Sequence, residues 1–496
     1  MHQISKKWLS IEHLGKLLSS KETVALSEES QRAIQTCYDF LHQKINATKQ
    51  SYYGINTGFG SLCNVKIDAE ELEELQSNLV RSHACGIGDL VPEEVVQIIL
   101  LLKIKSLSIG HSAVSLPLVE RLVGMYNEGI LPVIYQLGSL GASGDLAPLA
   151  HLSLPLLGAG EVYQNGVRQP SKKVLEAHAW NPLKLQAKEG LALLNGTQFS
   201  TGYGVWALLK AQRLSKLADL IAAMSMDAFA CVMSPFDQRL HDIRAHEGQV
   251  QTAANIRKLL KDSVLAASPK ETVQDPYAFR CVPQVHGATK DTITHAQKVI
   301  EREVNSVTDN PNIFPDSDAI LSGGNFHAQP IALVLDFLAI ALSELGSISE
   351  RRLYQLISGQ RALPPFLTPQ SGLHSGLMIT QYTAASIASQ NKQFCMPASV
   401  DSIVSCNGQE DHVSMAANAG TKLYKVVENV ERLLAIELLA AAQALSFRNE
   451  KSSPIIEKIV AQFRTLVPVM ESDHVFSEDM ATALSFVQDL DLDNLF

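Results

Sequence analysis

Residues 411–446 read DHVSMAANAGTKLYKVVENVERLLAIELLAAAQALS, and this stretch decides the fold class. Its apolar residues recur at helical spacing, and it is much longer than the average helix of ~11–12 residues. A helix of this length that is apolar on more than one face must pack against other helices. The stretch therefore predicts a core helix of a helical bundle.

Further stretches of the same kind extend this prediction along the chain. They lie near residues 114–128, 203–231, 289–306, 327–358 and 376–393. We therefore predict a mainly α fold, with a long central and C-terminal helical bundle at 196–496. A smaller mixed N-terminal region is expected at 1–195.

Local signals add detail to the N-terminal region. Strands are expected only in short hairpins, such as VYQNGVRQP at 162–170, whose Asn165-Gly166 pair favours a tight turn. Asp68 and Glu71 predict a capping box at the start of the helix that follows them.

Composition and charge restrict the function classes. The chain has 496 residues, with 41 basic and 51 acidic side chains and a net charge of −10. No long basic run is present, which argues against a nucleic-acid partner. The apolar stretch at 331–342 is interrupted by Asp336 and is too short for a bilayer span, so we expect a buried helix and no membrane.

Absent motifs narrow the chemistry further. No nucleotide-binding glycine motif, serine-hydrolase elbow or metal-ligand spacing occurs in the sequence. The seven cysteines form no Cys-x-x-Cys pair, which is typical of reduced thiols in the cytoplasm. The start of the chain has no apolar stretch long enough for a signal peptide. We therefore expect a cytoplasmic protein without a metal site.

The candidate chemistry lies in GSLGASGDLAPLAH, residues 138–151. The nitrogen of Gly144 can attack the carbonyl carbon of Ala142, and loss of water then closes an imidazolone ring. Loss of a second water removes the hydroxyl of Ser143 and leaves a methylidene. The product is a strong electrophile, which ordinary side chains do not supply. Gly144 suits this close approach because it has no Cβ, but the triplet alone also fits an ordinary Gly-rich turn.

Several further blocks accompany this loop. They are YGINTGFG at 53–60, RSHACGIG at 81–88, KEGLALLNGTQ at 188–198, QDPYAFRCVPQ at 274–284, GGNFHAQP at 323–330 and GQEDHVSM at 408–415. Together they resemble the aromatic amino acid ammonia-lyases and aminomutases, whose electrophile is 4-methylidene-imidazol-5-one (MIO). The resemblance runs from about Tyr53 to Ser446. It implies an ammonia-lyase/fumarase-like helical architecture and no external cofactor.

The resemblance also implies how the subunits assemble and which residues are catalytic. It implies a homotetramer of long helices in which each active site is built from three subunits. MIO would form from Ala142, Ser143 and Gly144. Tyr53 matches the base that removes the β-proton of the substrate, although a phenol with an ordinary pKa near ~10 needs neighbours that stabilise its phenolate.

Other residues match the substrate-binding and lining positions of the family. Asn195 and Arg280 would hold the substrate, and the planar guanidinium of Arg280 suits a carboxylate. Tyr277 and Gln274 match positions that line the electrophile. Phe326 matches an aromatic ring packed beside it.

Three features bear on the substrate. His83 lies where the substrate side chain sits, and the Ser82-His83 pair occurs in members that act on histidine and in some that act on tyrosine. Glu410 and the segment at 324–328 match the histidine-specific members, which implies L-histidine as substrate and trans-urocanate as product. Gly408 and Gln329 depart from the family pattern.

Alternatives remain at this stage. A tyrosine ammonia-lyase or tyrosine 2,3-aminomutase fits the same scaffold. The sequence also leaves open whether the amine or the aromatic ring of the substrate attacks the electrophile. Outside the family, a non-catalytic helical oligomer would keep Ser143 intact, and a pyridoxal enzyme would show a cofactor absorption band.

Overall fold

Helices dominate the computed structural model, which describes residues 1–47 and 50–496. In the N-terminal half they are α1 (Ile11–Ser20), α2 (Glu28–Ala47), α3 (Leu72–His83), α4 (Glu93–Leu107), α5 (Leu116–Asn127), α6 (Leu146–Ser153), α7 (Ser171–Ala177), α8 (Glu189–Leu194) and α9 (Gln198–Ala228). The remainder are α10 (Gln238–Asp242), α11 (Glu247–Leu259), α12 (Val264–Ala267), α13 (Tyr277–Arg280), α14 (Val282–Val304), α15 (Gln329–Leu356), α16 (Met378–Phe394), α17 (Ala416–Leu445), α18 (Pro454–Arg464) and α19 (Phe476–Asp489).

The predicted core helices are confirmed. The six apolar-periodic stretches correspond to α5, α9, α14, α15, α16 and α17. The opening stretch becomes α17 only from Ala416 onward, because Met415 adopts a left-handed conformation with φ 54°. Its N–H donates to the carbonyl of Leu140 at 2.9 Å, so the residue just before the helix is bound to another segment.

The predicted capping box before α3 is wrong. Asp68 precedes a single 3-10 turn, Ala69–Glu71, and its side chain makes no capping hydrogen bond. The α-helix then begins at Leu72. The 3-10 turn provides hydrogen bonds for backbone groups at this end of the helix. The sequence signal therefore marks where the helical segment begins, but not how its N-terminus is capped.

The strands are short. They are β1 (His2–Ile4), β2 (Val24–Leu26), β3 (Ile87–Leu90), β4 (Leu131–Pro132), β5 (Tyr135–Leu137), β6 (Glu161–Gln164), β7 (Val167–Pro170), β8 (Asn312–Phe314) and β9 (Ala319–Leu321). The β6–β7 hairpin is confirmed, with positive φ at Asn165 and Gly166. The prediction that strands occur only in hairpins is wrong. Strand β1 pairs with β2 in parallel, and β3 pairs with the non-consecutive β5.

The described residues form two compact units, each assembled from three chain segments. Unit 1 comprises Met1–Ala207, Gln297–Asp336 and Pro397–Thr421, and unit 2 comprises Leu208–Ala296, Phe337–Met396 and Lys422–Phe496. Every strand given above belongs to unit 1, and the described elements of unit 2 are helical. These interleaved units differ from the predicted division of the chain into residues 1–195 and 196–496. That domain boundary stays a prediction.

Helix α15 is the one described helix that is long and apolar enough to cross a membrane. It is longer than the stretch at 331–342 suggested, so length alone does not exclude a span. Its most apolar window is 72% buried within the protein, as in the core helix of a helical bundle.

A buried polar network lies inside unit 2. His286 Nδ1 is 2.7 Å from Asp219 Oδ1, and Arg352 binds Glu437 through two hydrogen bonds of 2.6 and 2.8 Å. The carboxylate of Asp219 can only accept, so His286 donates from Nδ1, and its Nε2 lies 3.4 Å from Arg352 Nη1. Burial lowers the pKa of His286 to about 4. Four further side chains donate to the two carboxylates: Ser225, Asn255, Lys290 and Ser349.

Candidate active site

A cavity of about 520 Å³ lies in unit 1. Six of the residues predicted from the sequence line it: Tyr53, His83, Ser143, Asn195, Phe326 and Glu410. Apolar side chains complete much of the wall, among them Leu79, Leu146, Leu191 and Leu194. Side chains up to 357 positions apart in the sequence thus share one mainly apolar cavity, which is the usual form of a small-molecule site.

The triplet loop connects β5 to α6 and depends on glycine. Gly141 and Gly144 have positive φ values of 63° and 79°, which favour glycine over other residues. Gly144 also pairs with the backbone of Gly196, and a Cβ at Gly144 would overlap the nitrogen and oxygen of that residue. Just after the triplet, Asp145 N donates to Gly196 O at 2.7 Å. Close backbone contact therefore holds one side of the loop.

The opposite side of the loop is held by the segment that precedes α17. Ser414 Oγ donates to Gly141 O at 2.9 Å, next to the contact between Met415 and Leu140 described above. Ser414 is fully buried, so water does not compete for this hydrogen bond. Both flanks of the triplet are therefore fixed before any chemistry occurs.

Ser143 has a partner at each of its two polar groups. Its Oγ lies 2.5 Å from Glu410 Oε1 and donates to it, since a carboxylate only accepts. Its carbonyl oxygen accepts from Asn195 Nδ2, also at 2.5 Å. Ser405 Oγ donates to the second oxygen of Glu410 at 2.7 Å and fixes the carboxylate. The serine that would lose its hydroxyl is thus held between a carboxylate and an amide.

Asn195 stands where α8 ends and the chain turns extended. The residue is 3% exposed, and its Oδ1 has no hydrogen-bond partner among the described residues. A buried, unpaired amide oxygen is costly unless another group supplies a hydrogen. Asn195 can therefore accept a hydrogen bond from a molecule in the cavity.

Tyr53 lies in a turn that contains Gly54, Gly58 and Gly60. The Gly60 N–H donates to Tyr53 Oη at 3.2 Å. Burial raises the pKa of Tyr53 above its usual value; the Gly60 hydrogen bond opposes this effect, and the charge of Glu410 adds to it. Tyr53 is therefore a neutral phenol in this single chain, and a base role requires a positive charge from elsewhere.

His83 is a neutral imidazole with a defined tautomer. Its Nδ1 lies 2.9 Å from the carbonyl oxygen of Leu79, which can only accept, so Nδ1 carries the hydrogen. Burial lowers the pKa of His83, which keeps the ring uncharged near neutrality. Its Nε2 is left as an acceptor for an N–H or O–H group.

Phe326 and Asn310 enter the cavity wall from the segments around β8 and β9. Phe326 is half-buried, as expected for a ring beside a ligand. Asn310 lines the same wall, and its amide is fixed by Ser322 and by the N–H of Gly323. An Asn-Pro pair by itself indicates a turn and gives no signal for a place in a cavity wall.

The remaining predicted residues do not line this cavity. Gln274, Tyr277 and Arg280 belong to unit 2. Tyr277 is 69% exposed, and the Arg280 guanidinium lies 4.6 Å from the centre of its ring. Arg280 Nε is buried without a hydrogen-bond partner among the described residues, so the guanidinium can still bind an anion.

Two residues at the site were not predicted from the sequence. Ser405 orients Glu410, and Lys103 contacts the backbone of Asn195. Neither lies in a recognisable motif. A lysine in the middle of the strongly apolar α4 was the only visible signal, because lysine is almost never fully buried without a partner.

Comparisons with known proteins find a matching family and several similar proteins. A family model described as aromatic amino acid lyase matches residues 9–465. A histidine ammonia-lyase from Symbiobacterium thermophilum is 46% identical over 490 residues, which is 97% of each chain. The crystal structure of histidine ammonia-lyase from Trypanosoma cruzi superposes with a TM-score of 0.91 at 38% identity, covering 98% of this chain and 93% of the other. Tyrosine aminomutase from Streptomyces globisporus gives a TM-score of 0.93 at 35% identity, with 98% and 96% covered.

Proposed function

This chain belongs to the aromatic amino acid lyase family, and on that premise we propose that it eliminates ammonia from L-histidine to give trans-urocanate. The observation that carries the proposal is the contact between Glu410 and Ser143 in a cavity that also contains His83. A carboxylate and an unprotonated imidazole nitrogen are both acceptors, which suits a substrate that presents ring N–H groups.

We infer that Ala142, Ser143 and Gly144 supply the MIO group. The residues fit it: only glycine is tolerated against Gly196, and the hydroxyl that must leave is hydrogen-bonded to a carboxylate. Asn195 and Glu410 would hold the matured group, with Phe326 beside it. Once formed, the group supplies the electrophile that makes the amine of the substrate a better leaving group. No external cofactor is proposed.

Tyr53 is proposed to take the β-proton of the substrate at its Oη atom. Burial opposes this role, because it raises the pKa of the phenol. The phenolate therefore needs a nearby cation, and the substrate ammonium and the Arg280 guanidinium are the proposed sources. The hydrogen bond from Gly60 N already favours the charged form in part.

His83 and Glu410 are proposed to set substrate choice. The free Nε2 of His83 can accept from an imidazole N–H, as can Glu410. A protonated imidazole carries two N–H groups and can donate to both acceptors, whereas a tyrosine side chain offers a single phenolic hydroxyl and leaves one of them unpaired. An unpaired buried acceptor costs about 1–3 kcal/mol, which favours histidine.

We propose a homotetramer in the cytoplasm, with active sites shared between subunits. Gln274, Tyr277 and Arg280 are then contributed to the cavity by other copies of the chain. Two features support this arrangement: Arg280 Nε has no hydrogen-bond partner among the described residues, and Tyr277 is largely exposed. Arg280 would bind the substrate carboxylate and Asn195 would help to align the substrate.

A substrate panel tests the proposal. The purified protein is incubated with histidine and with tyrosine, and the products are followed by near-ultraviolet absorbance. We expect urocanate to form only with histidine. Coumarate or β-tyrosine would instead assign the protein to the tyrosine lyases or aminomutases of the same family.

Intact-mass measurement tests the prosthetic group separately. We expect a chain lighter than its sequence by the mass of two water molecules. A mass that matches the unmodified sequence would contradict the MIO proposal.

A further inference from the structure

Lys103 is buried in the middle of α4, where it is 1% exposed. Its Nζ donates to two backbone carbonyls, Ala192 O at 3.1 Å and Asn195 O at 3.0 Å. The structure gives it no ion pair with a carboxylate of the described residues. Its charge is therefore placed against main-chain oxygens rather than against an acidic side chain.

These two carbonyls belong to the end of α8. The last carbonyls of a helix have no partner within the helix, and a cation placed against them satisfies them and favours the helix dipole. Asn195 is the residue at which the chain leaves α8, and its side-chain amide donates to Ser143 O. One residue thus receives Lys103 on its backbone and contacts the triplet with its side chain.

We propose that Lys103 is a positioning residue, whose ammonium fixes the backbone of Asn195 so that the Asn195 amide meets the carbonyl of Ser143. The inference rests on the proposed function, because it assigns this contact a role in turnover. Lys103 acts through Asn195 and does not itself line the cavity.

Burying a lysine costs desolvation free energy, so packing alone does not explain this residue. Desolvation lowers the pKa of Lys103 to about 7, with Asp309 and Asp145 opposing the shift and Lys188 adding to it. An apolar side chain of similar length would fill the space without the desolvation cost of a buried charge, but it could not donate to both carbonyls. The hydrogen bonds are therefore what the lysine contributes.

Lys105 offers a matched control two residues further along the same helix. It is 2% exposed and donates to two backbone carbonyls, Ser5 O at 2.7 Å and Lys7 O at 2.9 Å. Its partners lie in the N-terminal segment and not at the triplet. Lys103 and Lys105 thus lie in the same helix, are similarly buried and each donate to two backbone carbonyls. They differ in the segment whose carbonyls they bind.

The test compares Lys103→Met with Lys105→Met in the full-length protein, using the amino acid that the wild type turns over best. We expect both variants to lose thermal stability, whereas only Lys103→Met loses kcat, by on the order of 10²-fold with a nearly unchanged KM. Lys103→Arg, which keeps the donors, is expected to recover most of the loss. If Lys103→Met does not fold, Lys103→Leu, which also lacks a donor, takes its place.

A double-mutant cycle decides whether the effect passes through Asn195. In an Asn195→Ala background, Lys103→Met is expected to reduce kcat by less than about threefold. Full additivity, an equal loss of kcat in Lys105→Met, or a kcat close to wild type in folded Lys103→Met would each overturn the inference.

A structural readout separates this inference from the proposed function. Crystal structures of wild type, Lys103→Met and Lys105→Met are compared whether or not histidine is turned over. We expect the distance from Asn195 Nδ2 to Ser143 O to lengthen only in Lys103→Met. An unmoved Asn195 would contradict the inference, while an absence of urocanate in the wild type would contradict only the proposed substrate.

Discussion

The two units contain polar clusters of opposite character. In unit 2, Asp219, His286, Arg352 and Glu437 are fully buried, and each carboxylate is bound by several donors. In unit 1, the groups around Ser143 are only partly paired, because Asn195 Oδ1 has no partner among the described residues. A satisfied cluster stabilises the fold that contains it, whereas an unsatisfied one is stabilised by what binds to it.

This difference predicts a separation of effects. Substitutions in the cluster around Ser143 should reduce turnover and leave stability nearly unchanged. Substitutions in the unit 2 network should reduce stability and leave turnover per folded protein nearly unchanged. Three measurements can contradict this separation: the turnover of a Ser143 variant, the unfolding of an Arg352 variant and the pH dependence of stability.

Ser143→Ala should abolish turnover. Alanine has no hydroxyl to lose, so the electrophile cannot form, and we expect kcat/KM to fall by on the order of 10³-fold or more. Intact mass should show no loss of a second water. Ser153→Ala is the control, since Ser153 is buried in α6 and donates to Leu149 O within the same helix. Substantial residual turnover in Ser143→Ala would refute the assigned role.

Arg352→Met should destabilise the protein without impairing the site. It leaves Glu437 buried without its cation, which costs about 3–5 kcal/mol of unfolding free energy. Denaturant-induced unfolding measures the loss. The double variant Arg352→Met with Glu437→Leu should recover most of it, because no unpaired charge then remains. A large loss of kcat/KM in folded Arg352→Met would break the separation between the two clusters.

The network should also make stability depend on pH. The pKa of folded His286 lies at about 4, below its ordinary 6.5, so the unfolded chain binds the proton more readily between these values. The free energy of unfolding should therefore fall as the pH is lowered from 6.5 toward 4, by at most ~1.4 kcal/mol per pH unit from this group. His286→Asn should show a shallower slope over that range. An equal slope in both proteins would exclude this contribution.

Structural elements that follow from a local sequence pattern were predictable from the sequence. The long helices follow from apolar spacing, and the β6–β7 turn follows from Asn165 and Gly166. Gly144 was assigned by its lack of a side chain, which lets its nitrogen reach the carbonyl of Ala142, and the structure adds a second, non-local reason in its contact with Gly196. For the helices and the turn, the cause lies within a few residues of the signal.

Residues that act across the chain were not predictable in this way. Ser143 and Glu410 are 267 positions apart, and Lys103 and Asn195 are 92 positions apart. Both contacts depend on how helices pack, which no local spacing encodes. The roles of Gln274, Tyr277 and Arg280 stay predictions, because these residues are not among those that line the cavity.

The β6–β7 hairpin has a practical consequence for handling the protein. Its tip at Asn165 and Gly166 is exposed, and a Cβ added at Gly166 would meet nothing within 4 Å. Lengthening an exposed loop costs little free energy, so this tip is a natural insertion point for an affinity tag or a fluorescent label. Such a label would report on the protein without altering either polar cluster.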